Sequence, residues 1–384
     1  MRANVLNDAA LMKHARRFAW LSIDTEKPQN EAFISQFPVD NWPTFFIIDS
    51  SNEGAVLKWL GTANVGQLEK LFDDGELAVR THGGKSVEEM LAIADRAYAE
   101  GRPADAAKLY REAIQSAPPK WERRPRAVES LVVAYQGAHQ PEECAQAALK
   151  AVPTLPRGSS FANAAATGLQ CALNAPRDAP WRRDAIAALE PWASSALSAP
   201  DLLADDRSGV YDVLVQTAES SGDKQRAKQL TGEWLSFLEE EASRAPTPEA
   251  RAAFDSHRVL AAFKLEDPAR VISALQASER DLPQDYNPPA RLASAYMRLG
   301  RYQEALAAAD RALSKAYGPR RIGIYETKAA INLKAGDRSA AQQTLVEALQ
   351  YAQALPNSQH RDRTVARVQK SLDQLRGTAA AQAR

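Results

Sequence analysis

The spacing of apolar positions changes near residue 86, and this change predicts two regions of different structure. Before it, short apolar runs alternate with polar turns, a pattern typical of strands and short helices. After it, alanine-rich segments place apolar residues three or four positions apart, as amphipathic helices do. We therefore predict an α/β region over 1–80, a linker with paired glycines at 81–86, helical repeats over 87–376 and a flexible tail at 377–384.

The pattern of the first region predicts a definite order of elements. Asn7 and Asp8 are candidate caps of a short helix. After it we expect a strand over Phe18–Ile23, a helix over Glu31–Phe37, a strand over Thr44–Ile48, a polar turn, a strand over Ala55–Leu60 and a helix from Val65 to Phe72. The strand at 44–48 is apolar on both faces, which is typical of the interior of an α/β sheet.

The tripeptide Trp42-Pro43-Thr44 directly precedes that apolar strand. Together with the order of elements, it resembles the thioredoxin-like fold from just past its active site, over about residues 1–76. The resemblance implies a cis peptide bond before Pro43. It also implies that Trp42, Pro43 and Thr44 form a surface against which an extended peptide is laid.

The C-x-x-C motif of thioredoxin-like proteins does not occur in this sequence. In many bacterial members of that superfamily, the residues after the second cysteine are similar to Met1–Asp8. The resemblance then implies cysteines three and six positions before Met1, and a first strand before them. We therefore expect that Met1 is an internal methionine of a longer reading frame, which could also encode a signal peptide.

The second region shows self-similarity at a period of about 34–40 residues. Small residues, a glycine and a bulky residue recur at the spacing of the tetratricopeptide repeat (TPR), which these segments resemble. The clearest sets are Ala94, Ala97, Gly101, Ala106, Tyr110 and Ala113; Ala293, Tyr296, Gly300, Tyr302, Ala305 and Ala312; and Ala329, Gly336, Ala341, Leu345 and Ala348. The fold class that follows is mostly α: a right-handed TPR-type solenoid of about six or seven helix pairs, preceded by a small, incomplete thioredoxin-like α/β domain.

The resemblance to TPR proteins implies a concave groove that binds a peptide or a protein. Arg291, Arg298 and Lys328 lie on the first helices of predicted pairs and are candidate groove residues, with simple solvation of the helix surface as the alternative. One TPR subset clamps a terminal carboxylate with an asparagine on the first helix. Because Asp95, Ser294 and Ala330 occupy that slot here, we do not expect such a clamp.

Charge and composition exclude several other classes of function. Lys plus Arg and Asp plus Glu number 48 each, so the chain carries no general attraction for nucleic acid, and the cluster Arg123–Arg126 alone does not predict such binding. No apolar run approaches the length of a membrane span. The histidines are scattered without metal-ligand spacing, so we predict no metal site. Glycine-rich phosphate loops and the G-x-S-x-G and H-E-x-x-H motifs do not occur in the sequence, and we predict no cofactor and no catalytic residue. Cys144 and Cys171 are interpreted as buried packing residues, with a redox pair as the alternative.

These patterns predict a protein–protein interaction scaffold with a redox-silent thioredoxin-like module. The alternative is a thiol-disulfide oxidoreductase whose C-x-x-C lies upstream of Met1 and whose repeats recruit its substrates. A third hypothesis is a structural unit that holds a larger complex together. The chain as it stands is predicted to lie in the cytoplasm, or in the periplasm if an upstream signal peptide exists, and the oligomeric state stays open.

Overall fold

The computed structural model describes residues 5–6, 8–39, 41–81, 83–200, 202–356 and 359–382. The chain divides into two compact units. Unit 1 comprises Met1–Ala19 and Val39–Phe237, and unit 2 comprises Trp20–Pro38 and Leu238–Arg384. The predicted linker at 81–86 lies within unit 1, and its His82 is outside the described residues.

Unit 1 begins with a 3₁₀ helix over Ala9–His14, which Asp8 caps by accepting a 2.8 Å hydrogen bond from the backbone N–H of Ala10. The second predicted cap, Asn7, lies outside the described residues. An antiparallel hairpin follows, formed by β1 (Thr44–Asp49) and β2 (Gly54–Leu60), with Phe45 opposite Trp59 and a bulge between Ile47 and Ile48. One face of the hairpin packs on α2, where a core forms from Leu57, Trp59, Ala63, Leu68 and Leu71.

The rest of unit 1 is helical. Its helices are α2 (Val65–Arg80), α3 (Val87–Ala99), α4 (Pro103–Ser116), α5 (Arg124–Gly137), α6 (Pro141–Ala151), α7 (Ser159–Asn174), α8 (Arg182–Ala196), α9 (Ala204–Ser221) and the first part of α10 (Lys224–Arg244). Capping boxes begin α2, with Asn64 and Gln67, and α3, with Ser86 and Glu89. Neighbouring helices pack as pairs, α3 with α4, α5 with α6 and α7 with α8.

Unit 2 contains a short helix α1 (Glu31–Gln36) and a second set of paired helices. These are the end of α10, α11 (Pro248–Ala252), α12 (Asp255–Lys264), α13 (Ile272–Asp281), α14 (Asn287–Arg298), α15 (Tyr302–Lys315), α16 (Arg320–Lys334), α17 (Arg338–Ala354) and α18 (Gln359–Gln382). The closest pairs are α14 with α15 and α16 with α17, and α17 also packs on α18. The last helix continues into the segment 377–384 that the sequence predicts as a tail.

The residues that carry the repeat pattern occupy the positions the pattern predicts. Gly101, Gly222, Gly300 and Gly336 have φ angles between +73° and +85°, and each ends the first helix of a pair, where a left-handed backbone closes the turn. Apart from Tyr302, which is half-buried, the small and bulky residues of the three repeat sets are buried between the helices. The predicted helix pairs are therefore confirmed, as is a mostly helical fold.

The prediction for the N-terminal region is confirmed only in part. The strands at 44–48 and 55–60 and the short helix at 31–37 are present with small shifts at their ends. The predicted strand at Phe18–Ile23 is wrong: these residues are not in a sheet, and Leu21 is 74% exposed. A strand needs a neighbour that pairs with its N–H and C=O groups, and the sheet of the described residues has only two strands, so the thioredoxin-like fold is not confirmed.

Candidate functional site

The Trp42-Pro43-Thr44 loop lies directly before β1, in unit 1. The Trp42–Pro43 peptide bond is cis. Thr44 Oγ1 donates a 2.6 Å hydrogen bond to the Asn41 carbonyl, and the N–H of Gly61 donates a 2.9 Å bond to the Pro43 carbonyl. The Trp42 side chain is 56% exposed. The loop is thus tied to the end of β2 through its backbone, and its role in binding a peptide stays a prediction.

The two cysteines form a disulfide between α6 and α7. Cys144 and Cys171 are joined by an S–S bond of 2.06 Å, with their Cα atoms 6.2 Å apart. Both residues are almost completely buried, as the packing interpretation predicts. Their pairing corresponds to the alternative interpretation of a cysteine pair, and the interpretation as two separate packing residues is wrong in this respect.

The first helices of the pairs in unit 1 are α3, α5, α7 and α9, and the hairpin and the residues just after it contact α3 and α9. β2 packs on α3, where Val56 and Ala92 share a small apolar cluster. Further along β2, Lys58, Trp59 and Leu60 line a cavity of about 30 Å³ with residues of α3, α4 and α5, namely Tyr98, Tyr110, Glu129, Ser130 and Val133. Thr62, just after β2, reaches α9. The chain's own N-terminal segment therefore occupies part of this face of unit 1.

A buried ionic network ties α2, α3 and α5 together. Arg126 donates to both carboxylate oxygens of Asp95, at 3.1 and 2.6 Å, and its Nε lies 2.9 Å from Asp74 Oδ2. The hydroxyl of Tyr110 donates a 2.6 Å hydrogen bond to the same Asp95. Burial alone would lower the pKa of Arg126, but Asp95 and Asp74 raise it above its ordinary value. Arg123 also pairs with Asp74, so these two charges of the basic cluster are neutralised within the fold.

A second polar group, which we name the carboxylate cluster, consists of Glu129, Asn163 and Asp206. The Asn163 amide donates a 2.8 Å hydrogen bond to Glu129, and the Thr62 hydroxyl donates a 2.9 Å bond to Asp206. One oxygen of each carboxylate is buried without a hydrogen-bond partner. Burial raises the pKa of Asp206 to about 7 and also raises the pKa of Glu129. The negative charges of Glu129 and Asp205 raise the pKa of Asp206 further.

Unit 2 contains an open groove of about 640 Å³ at the start of α14. Arg291 contributes the guanidinium that lines it. The other lining residues come from α11, from the end of α13 and from the turn before α14: Glu249, Ala252, Ala253, Asp281, Leu282, Pro283, Gln284, Asp285 and Asn287. Asp281 is paired with Arg251, and Asp285 accepts hydrogen bonds from Asn287. Among the residues with described side chains, none forms an ion pair with Arg291, and burial lowers its pKa.

The other two candidate groove residues have partners inside unit 2. The guanidinium carbon of Arg298 lies 4.1 Å from the centroid of the Phe263 ring, a cation–π contact. Lys328 Nζ lies 2.6 Å from Asp310. The structure therefore places Arg291, and neither Arg298 nor Lys328, in the open groove.

Sequence reasoning did not single out Arg126, Glu129 or Asp206 as members of polar networks. Each is a charged residue within or beside the apolar stripe of a first helix, and Glu129 follows two buried residues, Ala127 and Val128. A charge inside an apolar stripe is the signal that could have identified them, because a buried charge needs a partner.

No helix in the described ranges is both long and apolar enough to cross a bilayer, and the same residues contain no group of three or more His, Cys, Asp or Glu placed to hold a metal ion.

Comparison with known proteins gives similarities of fold at low identity. No protein-family model matches the chain, and no curated protein matches it. Similar solved structures include a tetratricopeptide repeat protein from Parabacteroides merdae (15% identity, 74% of this chain and 100% of that one, TM-score 0.39). They also include the assembly chaperone of RpL4, Acl4 (14% identity, 77% of this chain and 100% of that one, TM-score 0.38). A third is yeast Tom70 (12% identity, 82% of this chain and 76% of that one, TM-score 0.38). Because these TM-scores lie below 0.5, we draw no conclusion from them.

Proposed function

We propose that this protein is a TPR-type interaction scaffold that binds a partner protein through unit 2. Support comes from the helix pairs themselves, whose turn glycines and buried small residues follow the tetratricopeptide spacing. In such a repeat the small residues let two antiparallel helices approach closely. Gly168 illustrates this: a Cβ added there would lie 2.2 Å from the Cβ of Ala148 on the neighbouring helix.

The observation that carries the proposal is the groove beside Arg291. It is open, it is about 640 Å³ in volume, and its guanidinium forms no ion pair with any described residue. The carboxylates of Asp255 and Asp285 act on Arg291 only through space. Without a direct ion pair, its guanidinium donors are available to an acceptor on a bound chain. In unit 1, by contrast, β2 packs on α3 and Thr62 bonds to α9, so part of that face already has an occupant.

The N-terminal region contributes structure rather than thiol chemistry in this proposal. Both cysteines of the chain are buried in one disulfide, so neither offers an exposed thiolate. The exposed Trp42 beside β1 is a possible second contact for a partner, as the thioredoxin-like resemblance implies.

Quantitative affinity capture with the full chain tests this function. We expect wild-type protein to retain a defined partner, and Arg291→Gln to weaken the purified pair at least tenfold in calorimetry. Arg376→Gln, which removes an exposed charge on α18, is the matched control and should bind as wild type does. Equal affinities for all three proteins would contradict a role of the Arg291 groove.

A further inference from the structure

Residues 24–30 of unit 2 form a turn that is held by hydrogen bonds among its own residues. Asp24 Oδ1 accepts a 2.9 Å hydrogen bond from the Glu26 N–H, and the Asp24 carbonyl accepts a 2.8 Å bond from the Asn30 amide. These bonds use one side-chain oxygen of Asp24 and none of Glu26. Asp24 Oδ2 and the Glu26 carboxylate therefore remain for contacts with the helices.

Those contacts lie at the corner between α15 and α16, which we name the acid seat and define as Tyr317, Gly318 and Arg320. The Tyr317 hydroxyl donates a 2.6 Å hydrogen bond to Asp24 Oδ2. Arg320 donates to the two oxygens of Glu26, from its Nε and from its backbone N–H, each at 3.1 Å. The Glu26 side chain is only 15% exposed, so its charge is held at the start of α16, where the helix dipole favours an anion.

Gly318 allows the backbone of the turn to approach the acid seat closely, because it has no side chain. Its φ angle is +60°, and a Cβ added to it would lie 2.2 Å from the carbonyl oxygen of Glu26. The ring of Tyr286 lies 6.2 Å from that of Tyr317, edge to face. The hydrogen bond to Asp24 raises the pKa of Tyr317 to about 12, so the hydroxyl is a donor at neutral pH. The corner thus matches an acidic turn in shape, in donors and in charge.

We propose that the acid seat is a binding site for an acidic Asp-x-Glu turn, that residues 24–26 occupy it as an internal ligand, and that a partner protein carrying such a turn competes for it. This site is separate from the Arg291 groove and does not depend on it. Two of the three donors that hold the internal ligand belong to exposed side chains, Tyr317 at 40% and Arg320 at 54%, and the third is the Arg320 N–H. The internal ligand is therefore displaceable. Exposed pairs contribute little individually, so the turn is retained mainly by its high effective concentration within the chain.

A peptide with the sequence of residues 20–38 tests this directly on the full chain. The double variant Asp24→Ala/Glu26→Ala removes the two acidic side chains that hold the internal ligand but leaves the acid seat intact. We expect the labelled peptide to bind this variant at least tenfold more tightly than it binds wild type, as measured by fluorescence anisotropy. Adding Arg320→Ala or Tyr317→Phe to the double variant should weaken binding at least tenfold. A peptide with Asp24→Asn and Glu26→Gln should bind the double variant no more tightly than it binds the wild-type protein.

Folding is checked by denaturant midpoints, which Tyr317→Phe in particular should leave unchanged. Equal binding to wild type and to the double variant overturns the proposal, as does no binding to a folded double variant at millimolar peptide. A wild-type dimer that dissociates on Asp24→Ala/Glu26→Ala would also overturn it, because the turn in the seat would then come from a second copy of the chain.

Discussion

The hydroxyl of Thr62 donates a 2.9 Å hydrogen bond to a carboxylate oxygen of Asp206, which lies 144 positions later at the start of α9. This bond joins the end of the N-terminal hairpin to helix α9 of unit 1. It places an ionisable group with a raised pKa at the point where the end of the hairpin contacts α9. Loss or gain of one proton at Asp206 therefore affects how firmly the hairpin is held.

Stability is predicted to fall as the pH rises through the range in which Asp206 titrates. Its pKa is about 7 in the folded protein, against about 3.9 for an unfolded aspartate, so between these values the folded state binds more protons. The contribution is fully present below about pH 4 and is lost as the pH approaches 7. Denaturant midpoints measured from pH 4 to pH 8 should show this slope.

Asp206→Asn should reduce that slope without removing it, since burial also raises the pKa of Glu129. Asp178→Asn changes an exposed carboxylate elsewhere in unit 1 and serves as the control. An unchanged slope in Asp206→Asn would show that Asp206 does not titrate in this range.

Arg126→Met should destabilise the protein by about 3–5 kcal/mol, because it leaves the buried carboxylates of Asp95 and Asp74 without their shared cation. Arg102→Met removes an arginine that is half exposed and pairs with Glu100 and Asp105 at the surface. Its expected cost is about 0–1 kcal/mol. Chemical denaturation compares the two, and equal losses would mean that the network around Arg126 is not buried.

Reduction of the Cys144–Cys171 disulfide should lower the free energy of unfolding by about 3–4 kcal/mol. The bond closes a loop with a sequence separation of 27, and the loss follows from the extra entropy of the unfolded chain. The variant Cys144→Ala/Cys171→Ala should be insensitive to reductant. Two free thiols in denatured, unreduced wild-type protein would contradict the pairing.

Gly168→Ala should cost about 1–3 kcal/mol, because its Cβ would overlap the Cβ of Ala148 where α6 and α7 meet. Gly209→Ala is the matched control, since nothing lies within 4 Å of a Cβ added at that position of α9. There the helix should gain up to about 1 kcal/mol. Thermal unfolding of both variants would separate close packing from helix propensity, and a stabilised Gly168→Ala would contradict the close approach.

The helix pairs could be predicted because their signals are local. A set such as Gly300, Tyr302 and Ala305 fixes the turn, the start of the second helix and its buried face within one short stretch. The two strands of the hairpin were predicted for the same reason. The strand at Phe18–Ile23 was predicted from an apolar run alone, and it fails because no neighbouring strand pairs with it.

The polar contacts could not be read from the sequence, since they join residues that are far apart in it. Thr62 with Asp206 and Tyr317 with Asp24 are separated by 144 and 293 positions. The pattern placed Arg291 on a first helix, but only the folded chain shows that it lines an open groove while Lys328 is paired with Asp310.

The most direct test of the scaffold account is site-specific photo-crosslinking within unit 2. A photoreactive residue would replace Gln284, which is exposed and lines the Arg291 groove, or Ala307, which is exposed on α15 outside it. In cells that express the protein, the account predicts a defined crosslinked partner from position 284, its loss on adding Arg291→Gln, and no such product from position 307. No crosslink at 284, or the same products from both positions, would contradict the claim that this groove binds a partner protein.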